Sequence, residues 1–342
     1  MAEVGRIGWG GQANPDSLVA VLMTSRLVSD GVKPLSASEY WKQPELAHQP
    51  RLLLEQPPEV LCQVDGLTGE MAARINSLLL RATAMAFELD RLRQSGIHTL
   101  TPFDELYPRL FRRRLKEKAP VVLHAAGPLE LLDRPGLGVV GSRDIDKDGA
   151  VVAKDAARLA AHLGLPVVSG GARGVDQLAM NAAIDEQSAA GTTVGFLADS
   201  MERQLKRPET RRAVLNSQAL LCTPYRPDAR FTTGTAMGRN KLIYAGSFLT
   251  LVVASDEESG GTWAGAVEAL KHGYGSVAVW RGSGEGPGNE RLEHFGATPV
   301  GSLDDLEALL VKALNEPMPH ELDLPTEEGG RLPFSAEFSE QG

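Results

Sequence analysis

The chain has 342 residues, a formal net charge of −9, 42% hydrophobic residues and 23% charged residues. This balance is typical of a globular protein with a sizeable core, and the negative charge excludes a broad, nonspecific coating of nucleic acid. A local phosphate site remains compatible with it, because affinity for phosphate depends on where the cations lie. The N-terminus shows no basic-then-apolar leader and no apolar run approaches a membrane span of about 18 residues, so we predict a cytoplasmic protein without membrane contact.

The first segment, residues 1–95, predicts a helical N-terminal domain. Ser17–Val28 is one amphipathic stretch, and Gly69–Leu92 predicts a longer helix whose apolar positions include Phe87. Directly before it, Val64–Gly69 is similar to a degenerate helix-hairpin-helix turn, whose backbone amides can bind a DNA phosphate. A plain helix-capping turn explains the same residues, and the sequence leaves both interpretations open.

Between residues 96 and 314, short apolar runs alternate with helical patterns. The candidate strands are Val121–His124, Leu137–Val140, Pro166–Val168, Thr193–Leu197, Ala219–Cys222, Phe248–Ala254 and Ser276–Trp280. The alternation predicts an α/β fold, a Rossmann-like and mostly parallel sheet with helices on both faces, and ligands bound beyond the carboxyl ends of the strands. Residues 315–342 are rich in Pro, Glu and Gly, which predicts a flexible acidic tail.

Three glycine-rich turns follow candidate strands and precede helices. They are Gly141-Ser142-Arg143, Ser169-Gly170-Gly171-Ala172-Arg173-Gly174 and Ser259-Gly260-Gly261. Glycines let the backbone approach a ligand, amides at a helix N-terminus attract anions, and arginine presents forked donors to phosphate oxygens. Arg239-Asn240-Lys241 precedes the strand at Phe248–Ala254. Because all four segments are predicted at one edge of the sheet, they indicate a phosphate-binding or nucleotide-binding site.

Residues 97–300 resemble the DprA/Smf family of DNA-processing proteins. The matching segments, in order, are Tyr107–Leu110, Pro120–Leu123, Val139–Arg143, Ser169–Asp176, Gly238–Ile243, Ser259–Gly261, Gly288-Asn289 and Phe295–Ala297. The resemblance implies a Rossmann-like domain that binds single-stranded DNA as a homodimer. It further implies protection of the strand and loading of a RecA-type recombinase during natural transformation, without a catalytic residue, a metal or a cofactor.

The turns and the resemblance together assign phosphate contacts to a defined set of residues. These are Gly141, Ser142, Arg143, Ser169, Gly170, Gly171, Arg173, Arg239, Asn240, Lys241, Ser259, Gly260 and Gly261. Lys241 stands where the family has arginine and replaces a forked donor with a point charge. Asp176 is expected to be structural, accepting hydrogen bonds from the adjacent turn. Trp263 either stacks on a base or packs into the core between helix and sheet.

Two other functions fit parts of the same pattern. Met237–Lys241, and Gly260-Gly261 followed by Glu268, resemble motifs of the LOG-type nucleotide phosphoribohydrolases. In such an enzyme Arg239 would orient a ribose phosphate and Glu268 would stabilise positive charge on the sugar, although a solvated helix residue also explains Glu268. A nucleotide sensor without catalysis is the third interpretation. An NAD dehydrogenase is disfavoured because no GxGxxG segment follows the first strand.

Two clusters of basic residues stand out against the acidic net charge. One lies between Arg109 and Lys118, and the other between Arg203 and Arg212. Such runs are typical either of solvated helix faces or of contacts with nucleic acid, and the sequence does not decide between them.

Overall fold

A computed structural model describes residues 14–315 except 44–46, 55, 57–60, 62–66 and 187–191. Half of the predicted turn at Val64–Gly69 and nearly all of the predicted tail therefore lie outside the described residues. Within the part that is described, no helix has both the length and the hydrophobicity to cross a lipid bilayer. The chain divides into two compact units between Leu123 and His124, which groups residues 96–123 with the first unit.

The first unit is mainly helical. Its α-helices are α1 (Pro15–Thr24), α2 (Ala37–Trp41), α3 (Gly69–Leu79), α4 (Ala82–Gln94) and α5 (Arg109–Leu115), with 3₁₀ turns at Pro50–Leu53 and Lys116–Lys118 and a short strand β1 (His98–Leu100). Side-chain caps fix several helix starts: Asn14 accepts from the Asp16 amide and Thr68 from the Met71 amide. Arg112 packs over the Trp41 ring at 4.3 Å, so part of the first basic cluster contributes to packing.

The single helix predicted over Gly69–Leu92 is wrong, because the structure has two helices there. The chain turns at Leu80–Arg81, and the buried Arg81 side chain donates to the carbonyls of Leu22 and Ser25 at the end of α1. Arg81 thereby satisfies carbonyls that have no partner within α1. The reorientation leaves Phe87, expected on the apolar stripe, 73% exposed.

The second unit contains a sheet in the order β2-β6-β5-β4-β3-β7-β8-β9. The strands are β2 (Leu123–Ala126), β3 (Gly136–Val140), β4 (Val167–Ser169), β5 (Thr193–Phe196), β6 (Ala219–Thr223), β7 (Ser247–Val252), β8 (Ser276–Trp280) and β9 (Thr298–Val300). All neighbours in this order pair in parallel except β2, which runs antiparallel to β6. The predicted α/β fold with a mostly parallel sheet is confirmed.

Helices connect these strands and cover both faces. They are α6 (Lys147–His162), α7 (Val175–Asp185), α8 (Met201–Leu205), α9 (Pro208–Leu215), α10 (Thr233–Ala245), α11 (Gly260–His272), α12 (Asn289–His294) and α13 (Leu303–Leu314). On one face α6, α7 and α13 close an aliphatic core over β3, β4, β7 and β8. The stripe predicted on α6 lies in this core, where Val152, Ala156 and Ala160 are buried. On the other face α10 packs against α11 and β7.

The strand order places a topological switch point beside β3. From β3 the chain winds outward through β4, β5 and β6, then crosses back through α10 and continues outward on the other side through β7, β8 and β9. The connections after β3 and β7 therefore leave in opposite directions. A crevice opens at such a point, outside the carboxyl ends of the strands, and in open α/β sheets it is where ligands bind.

Candidate phosphate site at the strand ends

The turns that follow β3 and β4 interlock, and their glycines are required by contact. Gly174 has φ = +89°, and a side chain there would overlap the Ser142 carbonyl and the Arg143 backbone. The Val175 amide donates to that same Ser142 carbonyl at 3.2 Å. A side chain at Gly141 would in turn overlap Val175. The two turns therefore form one rigid element, called here the β3–β4 half of the site (residues 141–144 and 169–175, with Arg239).

The two serines predicted to contact phosphate are hydrogen-bonded to the protein backbone. Ser169, fully buried at the end of β4, donates its hydroxyl to the Val139 carbonyl at 2.6 Å. The Ser142 hydroxyl donates to the Asp144 carbonyl at 3.0 Å. The Ser142 amide donates to the carbonyl of Ala254, which follows β7. Both serines thus hold neighbouring strands and turns in register.

Arg239 is an internal cation of this half. It projects from the middle of α10, is only 5% exposed, and donates through Nη1 to the Phe196 carbonyl at the end of β5, at 2.6 Å. Its Nε is buried without a hydrogen-bond partner among the described residues. A side chain at Gly170 would overlap both the Arg239 guanidinium and the Asp176 carboxylate. Glycine is therefore the residue that allows this buried pair to form beneath the turn.

Asp176 has the structural role that the sequence indicates. Its Oδ2 accepts the Gly170 amide at 3.1 Å. Burial raises the pKa of Asp176, and the positive charge of Arg239 and the turn amides offset part of that rise. Burial likewise lowers the pKa of Arg239, while Asp176 acts in the opposite direction. Each of the two buried charges therefore offsets part of the cost of burying the other.

Exposed cations and an aromatic ring lie above this buried layer. Arg143 is exposed, with its guanidinium carbon 5.9 Å from the centre of the Phe231 ring, and Phe231 itself is 51% exposed. Arg143 is also close enough to Arg239 to lower the pKa of that residue. Arg173 is exposed and donates to the Asp144 carboxylate at 2.6 Å. This half therefore offers arginines and an aromatic face to solvent.

Phe231 is not among the residues predicted from the sequence, because one aromatic residue in a polar stretch carries no periodic signal. The local signal is its position: Arg230 precedes it, and Thr232 follows as the N-cap of α10, accepting from the Thr235 amide. Its ring lies beside the exposed Arg143, just before a helix that reaches the site, and this makes Phe231 a binding candidate.

The segment that follows β7 builds the second side, called here the β7 half (residues 256–261 with Asn240). Asn240 Nδ2 donates to the Gly261 carbonyl at 3.1 Å, which joins the middle of α10 to the first turn of α11. Asp256, Glu257 and Glu258 are exposed directly before Ser259. A side chain at Gly261 would meet no atom closer than 3.8 Å. This half is thus more acidic and less tightly packed than the other.

Trp263 and Glu268 both lie on α11. Trp263 is half-buried and packs edge-on against Phe295, with ring centres 5.9 Å apart. Glu268 accepts a hydrogen bond from the Tyr274 hydroxyl at 3.1 Å. It follows Gly260 by eight positions, which is about 12 Å along a helix axis. Lys241, the third residue of the Arg-Asn-Lys segment, is half-buried on α10.

The second basic cluster lies on the helices that follow β5, at the same edge of the sheet. Its exposed cations on α8 and α9 and between them are Arg203, Lys206, Arg207, Arg211 and Arg212. The start of α8 is joined to the segment before Phe231, because the Glu202 amide and the Ser200 hydroxyl donate to the Pro227 carbonyl. The cluster is therefore connected to the loop that carries the exposed ring.

Comparison with known proteins identifies the family. Residues 98–310 match the family described as DNA recombination-mediator protein A. The chain belongs to this family. A putative DNA processing protein DprA from Mycobacterium tuberculosis is 31% identical over 256 residues, which are 70% of this chain and 64% of that protein. The match thus spans less than two thirds of the mycobacterial relative.

Two solved structures of DprA share the fold. The Streptococcus pneumoniae protein matches with a TM-score of 0.55 at 23% identity, covering 80% of this chain and 98% of that one. The Helicobacter pylori protein, whose structure is described in terms of its single-stranded DNA binding mode, matches with a TM-score of 0.51 at 24% identity. That match covers 63% of this chain and 96% of the H. pylori chain. The resemblance to DNA-processing proteins predicted from the motifs is confirmed.

Proposed function

We propose that this chain binds single-stranded DNA through its phosphate backbone at the carboxyl ends of β3, β4 and β7. Membership of a DNA-processing family supports this proposal, as does the single-stranded DNA binding described for the H. pylori protein of similar fold. The chemistry is binding without a covalent step. Arginines neutralise successive phosphates, and turn amides at helix N-termini add directed donors.

The observation that carries the proposal is the pairing of Arg143 with Phe231 at the surface. A phosphate and the base attached to it need a cation and a flat apolar face a few ångströms apart, and this pair offers both, with the guanidinium 5.9 Å from the ring centre. Stacking of a base on an aromatic ring requires an unpaired strand and tolerates every base, since each has a π-face. We therefore expect preference for single strands over duplex and little preference for sequence.

Arg239 has a different part in this proposal from the one assigned by motif. As a buried cation bonded to Phe196, it supports the Gly170 turn from beneath. A ligand oxygen that reached its unpaired Nε would give that nitrogen its missing acceptor. Direct phosphate contact is assigned first to Arg143 and Arg173, which are exposed.

The proposal extends the strand past Phe231 toward the cations of α8 and α9. These side chains are exposed, and the loop before Phe231 is hydrogen-bonded to the start of α8. An extended chain of phosphates contacting several arginines gives an affinity that falls steeply with salt. We further propose that the protein works as a homodimer in the cytoplasm, protects the strand and helps to load a RecA-type recombinase, as the family resemblance implies.

The hydrolase interpretation draws less support from the site. Its expected catalytic carboxylate, Glu268, accepts a hydrogen bond from Tyr274 and lies about two helical turns beyond Gly260 and Gly261. The nucleotide-sensor interpretation uses the same cations and differs only in ligand size. Competition between single-stranded DNA and a mononucleotide distinguishes a DNA-binding site from a nucleotide sensor.

The experiment is fluorescence anisotropy with a labelled single-stranded oligonucleotide, competed with unlabelled duplex and with a nucleoside monophosphate. We expect the labelled strand to bind, and we expect unlabelled single strand to displace it far better than either the duplex or the nucleoside monophosphate does. Displacement by the mononucleotide at equal phosphate concentration would instead favour the sensor. Release of free base from the mononucleotide, followed by chromatography, would favour the hydrolase.

A further inference from the structure

The site contains an acid whose position conflicts with phosphate binding. Asp144 directly follows Arg143 in the turn after β3, and its carboxylate accepts from Arg173 Nη2 at 2.6 Å. The Arg173 and Asp144 side chains are 71% and 86% exposed, so solvent and ligand reach both. Arg173 is therefore partly neutralised by a carboxylate before any phosphate arrives.

We propose that Asp144 is a built-in competitor of the phosphate ligand: it occupies Arg173 in the empty site and gives it up when a phosphate binds. The inference rests on the proposed function, since it concerns the same site. A carboxylate and a phosphate present similar pairs of oxygens to the fork of a guanidinium, so they compete for the same donors.

A positioning role for Asp144 is the main alternative, and the packing speaks against it. The Arg173 backbone is already fixed without the ion pair: Gly174 is wedged against Ser142, Val175 donates to the Ser142 carbonyl, and Gln177 donates to the Ala172 carbonyl at 3.1 Å. An exposed ion pair adds little order to a turn held in this way. What it changes is the charge that a ligand meets.

The competitor also changes how binding responds to salt. When Arg173 neutralises a phosphate but releases Asp144 beside it, the net positive charge at the contact is smaller than for a free arginine. Fewer counterions then leave the DNA, and the dependence on salt is shallower than the number of arginines suggests. Asp144 thus keeps the site exchangeable, which suits a protein that passes its strand to a partner.

Four full-length proteins test the proposal by anisotropy with a labelled single strand at several salt concentrations: wild type, Asp144→Asn, Arg173→Gln and the double variant. Asparagine keeps the shape of aspartate and a hydrogen-bond acceptor while removing the charge. We expect Asp144→Asn to bind about two- to fivefold more tightly, the range expected from exposed ion pairs. We also expect a steeper logarithmic salt slope, by up to about 0.7 for a single strand.

The double variant decides the mechanism. If Asp144 competes for Arg173, the gain from Asp144→Asn disappears in the Arg173→Gln background. A gain that persists there would mean that the carboxylate only repels phosphate at long range, and weaker binding by Asp144→Asn would mean that it positions the turn. Either result overturns the proposal.

The matched control is Asp155→Asn on α6. It removes one carboxylate from another ion pair at the surface, which is partly exposed and lies outside the site, with Arg158 at 2.7 Å. Equal tightening by this variant would also contradict the proposal. If the wild type binds a mononucleotide rather than a single strand, the proposed function fails, and the same four proteins titrated with the mononucleotide still test the competition.

Discussion

The two halves of the site are built from the same kind of sequence and differ in what their glycines do. In the β3–β4 half, side chains at Gly141, Gly170 and Gly174 would overlap neighbouring atoms, so three of its four glycines are needed for packing, and Gly171 is needed only for its φ of +65°. In the β7 half, Gly261 has open space around it and Gly260 is needed only for its φ of +79°. The same glycine-rich pattern therefore produces a rigid element in one place and an adaptable one in another.

Charge follows the same division. The β3–β4 half places a compensated Arg239–Asp176 pair beneath exposed arginines, whereas the β7 half approaches its helix through three exposed acids. We infer that the β3–β4 half supplies most of the phosphate affinity and that the β7 half shapes the opening. Each of the following changes sharpens or breaks that comparison.

Arg239→Met should have the largest effect, because it leaves Asp176 buried without its cation. We expect a loss of about 3 kcal/mol in the free energy of unfolding near neutral pH. Burial already raises the pKa of Asp176 above its ordinary value of 3.8, and removing Arg239 raises it further. In the variant the Asp176 carboxyl ionises at a higher pH than in the wild type, so the destabilisation relative to wild type should grow as pH rises through and above the raised pKa of the wild-type group.

Urea unfolding of wild type and Arg239→Met across this pH range measures the effect. The control is Arg239→Met combined with Asp176→Asn, which removes the titrating group and should remove the added dependence on pH. A destabilisation by Arg239→Met that is the same at every pH would contradict the paired-charge account.

Gly174→Ala should cost about 2–4 kcal/mol, since alanine is strained at a φ of +89° and its methyl group overlaps the Ser142 carbonyl. The matched change in the other half, Gly261→Ala, should stay within about 0.5 kcal/mol because its surroundings are open. Thermal unfolding of the two variants compares them directly. Equal losses would mean that the halves do not differ in rigidity.

Much of the sheet around the site could be predicted from the sequence. The alternation of apolar runs predicts the parallel strands that surround the site to within a few residues, because strands buried on both faces read as continuous apolar segments. The glycine turns were predicted at the right edge for the same reason. The short edge strand β9 (Thr298–Val300) was missed, since its two exposed residues leave no apolar run.

The features that the sequence did not predict, in the site and in the first unit, depend on tertiary contacts. Arg239 lies in a motif with Asn240 and Lys241, but burial beneath Gly170 is set by the crossing of α10 under the β4 turn, which no local pattern records. The ion pair between Arg173 and Asp144 joins two turns that are distant in sequence. The break in the helix after Leu79 depends on Arg81 reaching α1.

Phe231→Ala should weaken binding of single-stranded DNA by about 1–2 kcal/mol, the loss of one stacked base. Protein stability should change less, because Phe231 is half-exposed. Phe87→Ala, which truncates an even more exposed phenylalanine on α4, is the control. Anisotropy titrations that show equal effects for both variants would remove Phe231 from the proposed site.

Asn240→Ala should have the smallest effect, about 1 kcal/mol of stability, through loss of the hydrogen bond to the Gly261 carbonyl. Because the β7 half is expected to shape the opening, DNA affinity should fall less than it does for Arg143→Gln. Urea unfolding and anisotropy on the same sample separate the two effects. A loss of affinity as large as that from Arg143→Gln would reverse the ranking of the halves.

The central claim is that an exposed arginine of the β3–β4 half, Arg143, neutralises a DNA phosphate. The salt dependence of DNA binding by Arg143→Gln tests this claim most directly. Arg158→Gln, which removes an exposed arginine of α6, is the matched control. We expect Arg143→Gln to weaken binding of a single strand about tenfold and to reduce the logarithmic salt slope by about 0.7, with the control near wild type. Equal affinities and slopes for the two variants would contradict the account.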